Sequence, residues 1–220
     1  MPALFALIAA ALLWLARRQA GARRNRAQTV IVSAPRSTLI ADDGAVRSVQ
    51  SARLQLERAD LERLWSAENL ENLGATYWHF LNRVTLGVIR VVYGPEERRV
   101  VFLVRALTLL RFAPPDYQLE PARGRISWRI KDGLLVARRG RDKGWLSLTV
   151  RRADQTPSEL EIDVEVANFY PAIASWLGTF FYEVTQSFVH VLVTHAFLRS
   201  LATLELEQSK VADLAPLPGG

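Results

Sequence analysis

His190, Glu183 and Gln186 are the residues whose types and spacing come nearest to chemistry in this chain of 220 residues. Separated by three, four and seven positions, they share one face of a helix. A carboxylate one or two turns from an imidazole is an acid/base pair in outline, and His190 with Glu183 are the catalytic candidates. The same strip is also what the wet side of a helix buried on its other sides looks like. His195 stands five residues beyond His190, about 140° around a helix, so the two do not make the i,i+4 pair that holds zinc. His195 falls on an apolar stripe and reads as a core histidine with one hydrogen bond. The absence of cysteine excludes disulfides, thiolate catalysis and cysteine metal sites together. No serine lies in a nucleophile elbow and no glycine-rich loop opens a helix. The sequence therefore leans away from an enzyme and offers no metal or cofactor site.

The aromatic residues suggest binding. Trp128 and Trp145 fall on adjacent predicted strands, and Tyr170 and Tyr182 flank the start of the last helix. With Gln186 and His195 as polar handles, they form a candidate set for an apolar ligand. Ordinary core packing accounts equally for Trp176 and Phe180. Arg138, Arg139, Arg141 and Lys143 surround the Gly140–Gly144 turn, a basic loop suited to phosphate headgroups or to plain solvent.

The elements that must position these residues are clearest between Arg123 and Leu206. Ile126 to Lys131 alternates apolar and polar, and Asp132-Gly133 predicts a tight hairpin with Leu134 to Arg139 as its partner strand. Trp145 to Val150 predicts a further strand. Next, Glu159, Glu161, Asp163 and Glu165 alternate with Leu160, Ile162, Val164 and Val166, the mark of a half-buried strand with an acidic outer face. Arg129, Lys131, Arg151 and Arg152 are the expected cross-strand partners of those acids. Pro171 opens a helix predicted to run to about Leu206, with Ile173, Leu177, Phe180, Val184, Phe188, Val191, His195, Leu198 and Ala202 on one stripe. A second apolar side carries Tyr182, Val189, Val193 and Phe197, so this helix needs two neighbours. Earlier in the chain, Thr29 to Val32 predicts a strand and Asp42-Asp43-Gly44 a turn. Leu54 to Asn82 reads as helical, bent near Glu68–Asn72 and Gly74; Gly87 to Tyr93 and Arg99 to Phe112 follow as further strands.

Pro2 to Ala16 is an unbroken apolar run, followed by Arg17, Arg18, Arg23, Arg24 and Arg26. A secretory leader carries its charge before the apolar run, so this order argues against one. The positive-inside rule keeps the arginines cytoplasmic and directs the N-terminus across the membrane. The run is shorter than the roughly 20 residues of an ordinary span, a difference that snorkelling arginines and local thinning can make up. The alternative is a helix lying in the interface, which the lack of a polar side disfavours. Of the net charge of +6, from 28 basic and 22 acidic residues, those five arginines supply nearly all. The remainder is close to neutral, which removes the basic groove that nucleic-acid binding requires. The predicted organisation is an anchor over 1–17, a basic tether with a possible first strand over 18–52, an α+β domain over 53–208 and a flexible tail over 209–220. The expected location is the cell membrane, with the domain in the cytoplasm.

A strand, one or two helices, five to seven antiparallel strands and a long C-terminal helix, in that order, resemble the helix-grip superfamily, the START-like and polyketide cyclase-like domains. Thr29-Val30-Ile31-Val32-Ser33-Ala34-Pro35 looks like that superfamily's first strand, although some twenty residues separate it here from the helices it usually leads into. The resemblance implies a curved sheet wrapped on the last helix around an apolar cavity. Members of the superfamily bind lipids, sterols, polyketides or hormones, and some are enzymes, so the fold does not settle the function. The reading favoured by anchor and fold together is a membrane-anchored domain that holds a lipid or isoprenoid-like molecule. Membrane lipids are its expected partners, and a second copy or a membrane protein is the alternative occupant of the helix's second apolar side. A cyclase or hydrolase using the same cavity is the enzymatic alternative.

Overall fold

The structure, a computed structural model, describes residues 27–32, 38–94, 96–103, 107–153, 158–172 and 189–208. Three strands open it: β1 (Gln28–Ile31), β2 (Thr38–Ile40) and β3 (Val46–Gln55). Helices α1 (Arg58–Leu64) and α2 (Ala67–Val84) follow. Then come β4 (Ile89–Tyr93), β5 (Arg98–Phe102), β6 (Thr108–Phe112), β7 (Asp116–Leu119), β8 (Arg123–Asp132), β9 (Gly144–Arg152) and β10 (Glu159–Phe169). Helix α3 (Val189–Ser200) runs into a 3₁₀ turn at Leu201–Thr203.

All strand pairs are antiparallel, in the order β1-β3-β10-β9-β8-β6-β5-β4, with β2 also on β3 and β7 also on β8. Alternation along the central strands builds one buried face. Gln50, Val164, Leu148 and Ile126 lie in register across it, as do Ala52, Ile162, Val150 and Gly124. The helices cover this face. Phe197 of α3 meets Tyr77 and Phe80 of α2 edge-on, at ring separations of 5.4 and 6.3 Å. The backbone N–H of Glu207 then donates to the Thr76 hydroxyl (2.9 Å), and Ala27 donates to the Ala202 carbonyl (2.9 Å). Both ends of the described chain are thus tied to the helical layer.

The antiparallel sheet and the C-terminal helix agree with the α+β expectation. The described sheet has ten strands, where the sequence predicts five to seven; β2, β3 and β7 carry no predicted strand, and Leu134 to Arg139, predicted as one, is not. β1 and β2 share one edge of β3, at its Ala52–Gln55 and Val46–Ser48 ends, and β7 pairs beside β6 on β8. The strand that leads straight into the helices is β3, so the twenty-residue gap noted for the segment at Thr29 disappears. That segment is an edge addition, and Leu54 and Gln55 end a strand where a helix was predicted to begin. The helical break lies at Trp65–Ser66, where the Ser66 hydroxyl accepts from the Asn69 N–H (3.1 Å) and caps α2. Gly74 is no bend; it lies mid-helix, where a Cβ would stand 3.0 Å from the Trp128 ring.

Asp132-Gly133 does not make a tight hairpin either. A Cβ on Gly133 would lie 2.2 Å from the Leu109 carbonyl, so the chain crosses β6 closely there. Leu134 and Leu135 donate to Thr108 and Leu109, and Ala137 donates to Tyr170. The true partner of β8 is β9. Of the predicted cross-strand cations, Arg151 bonds Asp163 (2.5 Å), while Arg152 turns away to Glu62 (2.9 and 3.0 Å). Arg129 faces Trp145 in register, and Lys131 lies beyond the start of β9. Arg53 and Arg47 of β3 are the further partners of the acidic face. The N-terminal apolar run and positions 173–188 of the predicted long helix lie outside the described residues, among which no helix is long and apolar enough to cross a membrane.

Candidate functional site

Between the covered sheet face and the helices lies an apolar cavity of about 70 Å³. Leu54, Leu160 and Ile162 form its floor, Leu70 and Leu73 of α2 one wall, and Leu201, Leu204 and Leu206 the other. Ser66 and Asn69 stand at its polar edge. The 3.6-residue period of α2 turns Leu70 and Leu73 towards it, and the period of two does the same for the strand residues. The cavity is about half the size of the ~150 Å³ apolar cavity that binds benzene, and well below the roughly 300 Å³ of pockets for drug-sized ligands. Its outer wall is the segment from Leu201 to Leu206. Leu204 takes a left-handed backbone there (φ 56°), and the segment ends at the Glu207–Thr76 bond.

A second feature sits beside the cavity on the other side of α2. Glu71 is 1% exposed and Arg98 3%, and their side chains pair at 3.0 Å. The Tyr117 hydroxyl donates to the other carboxylate oxygen of Glu71. Arg98 also stacks over Tyr93 (5.2 Å) and Trp128 (5.4 Å). Burial, and then the acceptor carboxylate of Glu71, push the Tyr117 phenol well above its ordinary range, so it stays a donor. Burial likewise raises Tyr93, against the pull of Arg98. One Arg98 nitrogen (Nη1) and the indole N–H groups of Trp78 and Trp128 are buried without a hydrogen-bond partner. The pair locks α2 to β5 and β7.

A third polar contact lies inside the groove. His195 Nε2 is 2.9 Å from Gln50 Oε1, and Gln50 is buried on β3. Desolvation, and then the positive charge of Arg199, hold the His195 imidazole below its ordinary value. The single hydrogen bond expected of a core histidine is therefore present.

Trp128 is fully buried beneath Gly74, edge-on to Trp78 at 5.1 Å. Trp145 projects from the opposite face and is half-exposed. Tyr170 donates its hydroxyl to Asp43 (2.7 Å), between the cations of Arg139 and Lys143. Trp128 and His195 thus point into the groove, Trp145 and Tyr170 lie away from it, and the cavity is walled by other residues. Tyr182, Glu183 and Gln186 lie outside the described residues, as do Arg17, Arg18, Arg23, Arg24 and Arg26. His190 is placed by its backbone alone, in the first turn of α3. Among the described residues no group of three or more side chains suits a metal.

Glu71, Arg98 and Tyr117 were not singled out by sequence. A signal for Glu71 existed, since it lies three and seven residues before Gly74 and Trp78, on the same buried side of α2. Arg98 sits in a charged run, Glu96-Glu97-Arg98-Arg99, that reads as a wet turn.

No family model and no curated protein matches the chain. Solved structures match at low identity. The solution structure of CalU16 from Micromonospora echinospora shares 13% identity over 85% of this chain and 80% of that one, with a TM-score of 0.33. Human STARD10 shares 8% over 89% and 80%, with a TM-score of 0.39. Ara h 8.0201 shares 12% over 72% and 99%, with a TM-score of 0.33. The chain's own order carries the comparison: one long strand leads into two helices, seven antiparallel strands follow, and a helix closes the groove. In that order of elements, the chain resembles the helix-grip superfamily.

Proposed function

We propose that this chain holds a hydrophobic molecule between its sheet and helices, at the cytoplasmic side of a membrane to which its N-terminal apolar run attaches it. The observation that carries the reading is the cavity, lined by leucines of β3, β10, α2 and the segment from Leu201 to Leu206. A cavity of this size admits the end of an acyl or isoprenoid-like chain. The apolar run and the arginines after it supply the membrane and anionic headgroups as neighbours. Displacement of an environment-sensitive acyl fluorophore from the full chain tests the reading. Leu73→Trp fills the cavity and is expected to abolish saturable binding. Saturable binding unchanged in a folded Leu73→Trp variant would place the ligand elsewhere.

A further inference from the structure

One end of the molecule is apolar in a way that folding does not require. Leu86 is 66% exposed, Leu103 55% and Leu134 54%, with Val88 and Leu107 also exposed. They come from three separate connections, yet they form one continuous rim. Leu103 donates its backbone N–H to the Val88 carbonyl (2.8 Å), Phe102 donates to Leu107 (2.9 Å), and Leu134 donates to Thr108 (3.1 Å). Leu86 and Leu103 both take left-handed backbones (φ 52° and 54°). That conformation suits glycine or asparagine and is unfavourable for leucine. Neither stability nor solubility favours an exposed leucine there, and contiguous exposed apolar surface marks an interaction site.

The surroundings of the rim indicate what covers it. Exposed Arg138, Arg139, Arg141 and Lys143 form the turn between β8 and β9 at this same end, and exposed Arg90 bonds the Gly87 carbonyl at 2.8 Å. The acids at this end are Asp42, Asp43, Asp132 and Asp142; Asp132 is held by Arg111 and Asp43 by Tyr170. Tyr170 lies within the basic group, against Arg139 and Lys143. Exposed apolar tips beside a basic turn match an anionic bilayer, which offers hydrocarbon to the one and phosphate to the other.

We infer that this rim is a second membrane contact, which dips Leu86, Leu103 and Leu134 into an anionic bilayer. It rests on the membrane attachment of the proposed function and is independent of ligand binding. The described chain begins at Ala27, at the opposite end of β3. The residues 17–26 reach at most about 36 Å when fully extended. A ten-residue strand such as β3 spans about 33 Å. The two lengths are similar, so a tilted sheet can bring the rim to the bilayer while Ala27 stays within the tether's reach.

The chain has no cysteine, so single substitutions give unique labels. Leu103→Cys, Leu134→Cys and, at the opposite end, Glu57→Cys are each labelled with an environment-sensitive fluorophore. The labels are read in the full chain reconstituted into phosphatidylcholine–phosphatidylglycerol vesicles. The expected result is a blue shift and a loss of intensity with brominated lipid at 103 and 134 but not at 57, reduced when phosphatidylglycerol is replaced by phosphatidylcholine. Quenching at neither end, at 57 alone, or equally at both ends overturns the inference. A quench indifferent to lipid charge overturns the basic turn's part in it. Leu86→Cys serves if a labelled variant loses its native unfolding midpoint. Carbonate-resistant pelleting of the same vesicles reports the tether separately, so a chain that pellets without quenching fails this inference alone.

Discussion

At the residue scale, the buried Glu71–Arg98 pair is the feature with the largest energetic consequence. Removing one member leaves the other charge buried and unpaired, a change that costs about 3–5 kcal/mol. Glu71→Gln should therefore lower the urea midpoint sharply, while Glu71→Leu combined with Arg98→Met should recover much of the loss. If Glu71→Gln alone left the midpoint unchanged, the pair would not be shielded from water. His195 gives a pH dependence whose sign follows from its environment. Its folded value is depressed below the ordinary 6.5 by burial and Arg199, so the unfolded chain binds the proton first as pH falls. Stability is then full above about 6.5 and declines as pH drops through the window below it. His195→Gln should flatten that decline in urea titrations run between about pH 5 and 8, keeping the contact to Gln50 without the titration. Sequence revealed half of this: the single hydrogen bond of His195 was legible, although the residue is only partly buried, but Gln50 was not, because a lone polar residue on a strand carries no sign of the face it occupies.

At the element scale, α2 is set by Gly74. Alanine is the better helix former by about 1 kcal/mol, so Gly74→Ala would stabilise an isolated helix. In this molecule the added methyl meets the Trp128 ring at 3.0 Å and Ile126 at 3.1 Å, both on a buried strand. Overpacking of this kind costs about 1–3 kcal/mol, so the net effect should be destabilising. A double-mutant cycle with Trp128→Phe measures the coupling, and simple additivity would show that the ring yields freely. The same glycine explains a misreading, since glycine in a helical pattern marks either a bend or a close approach and only the partner distinguishes them. Asp132-Gly133 fails similarly, because local turn chemistry favoured a hairpin and the close crossing over β6 prevailed. The strongly alternating β8, β9 and β10 were legible because one buried face dictates their pattern. β1 was legible at Thr29 to Val32, whereas β2 and β7 were harder because three- and four-residue strands carry too few alternations.

At the scale of the whole molecule, the account joins a groove, a tether and an apolar rim. The groove's order of elements was legible from sequence, whereas the cavity was not, since its walls are ordinary leucines whose convergence depends on register. The proposed ligand is hydrophobic, so it should survive purification in proportion to its burial. Native mass spectrometry of the full chain, released from lipid nanodiscs, addresses the central claim most directly. The account predicts a bound small molecule of defined mass, absent from the Leu73→Trp variant. A chain that emerges as a clean apo species, and stays so after incubation with the lipid extract of its host membrane, would contradict it.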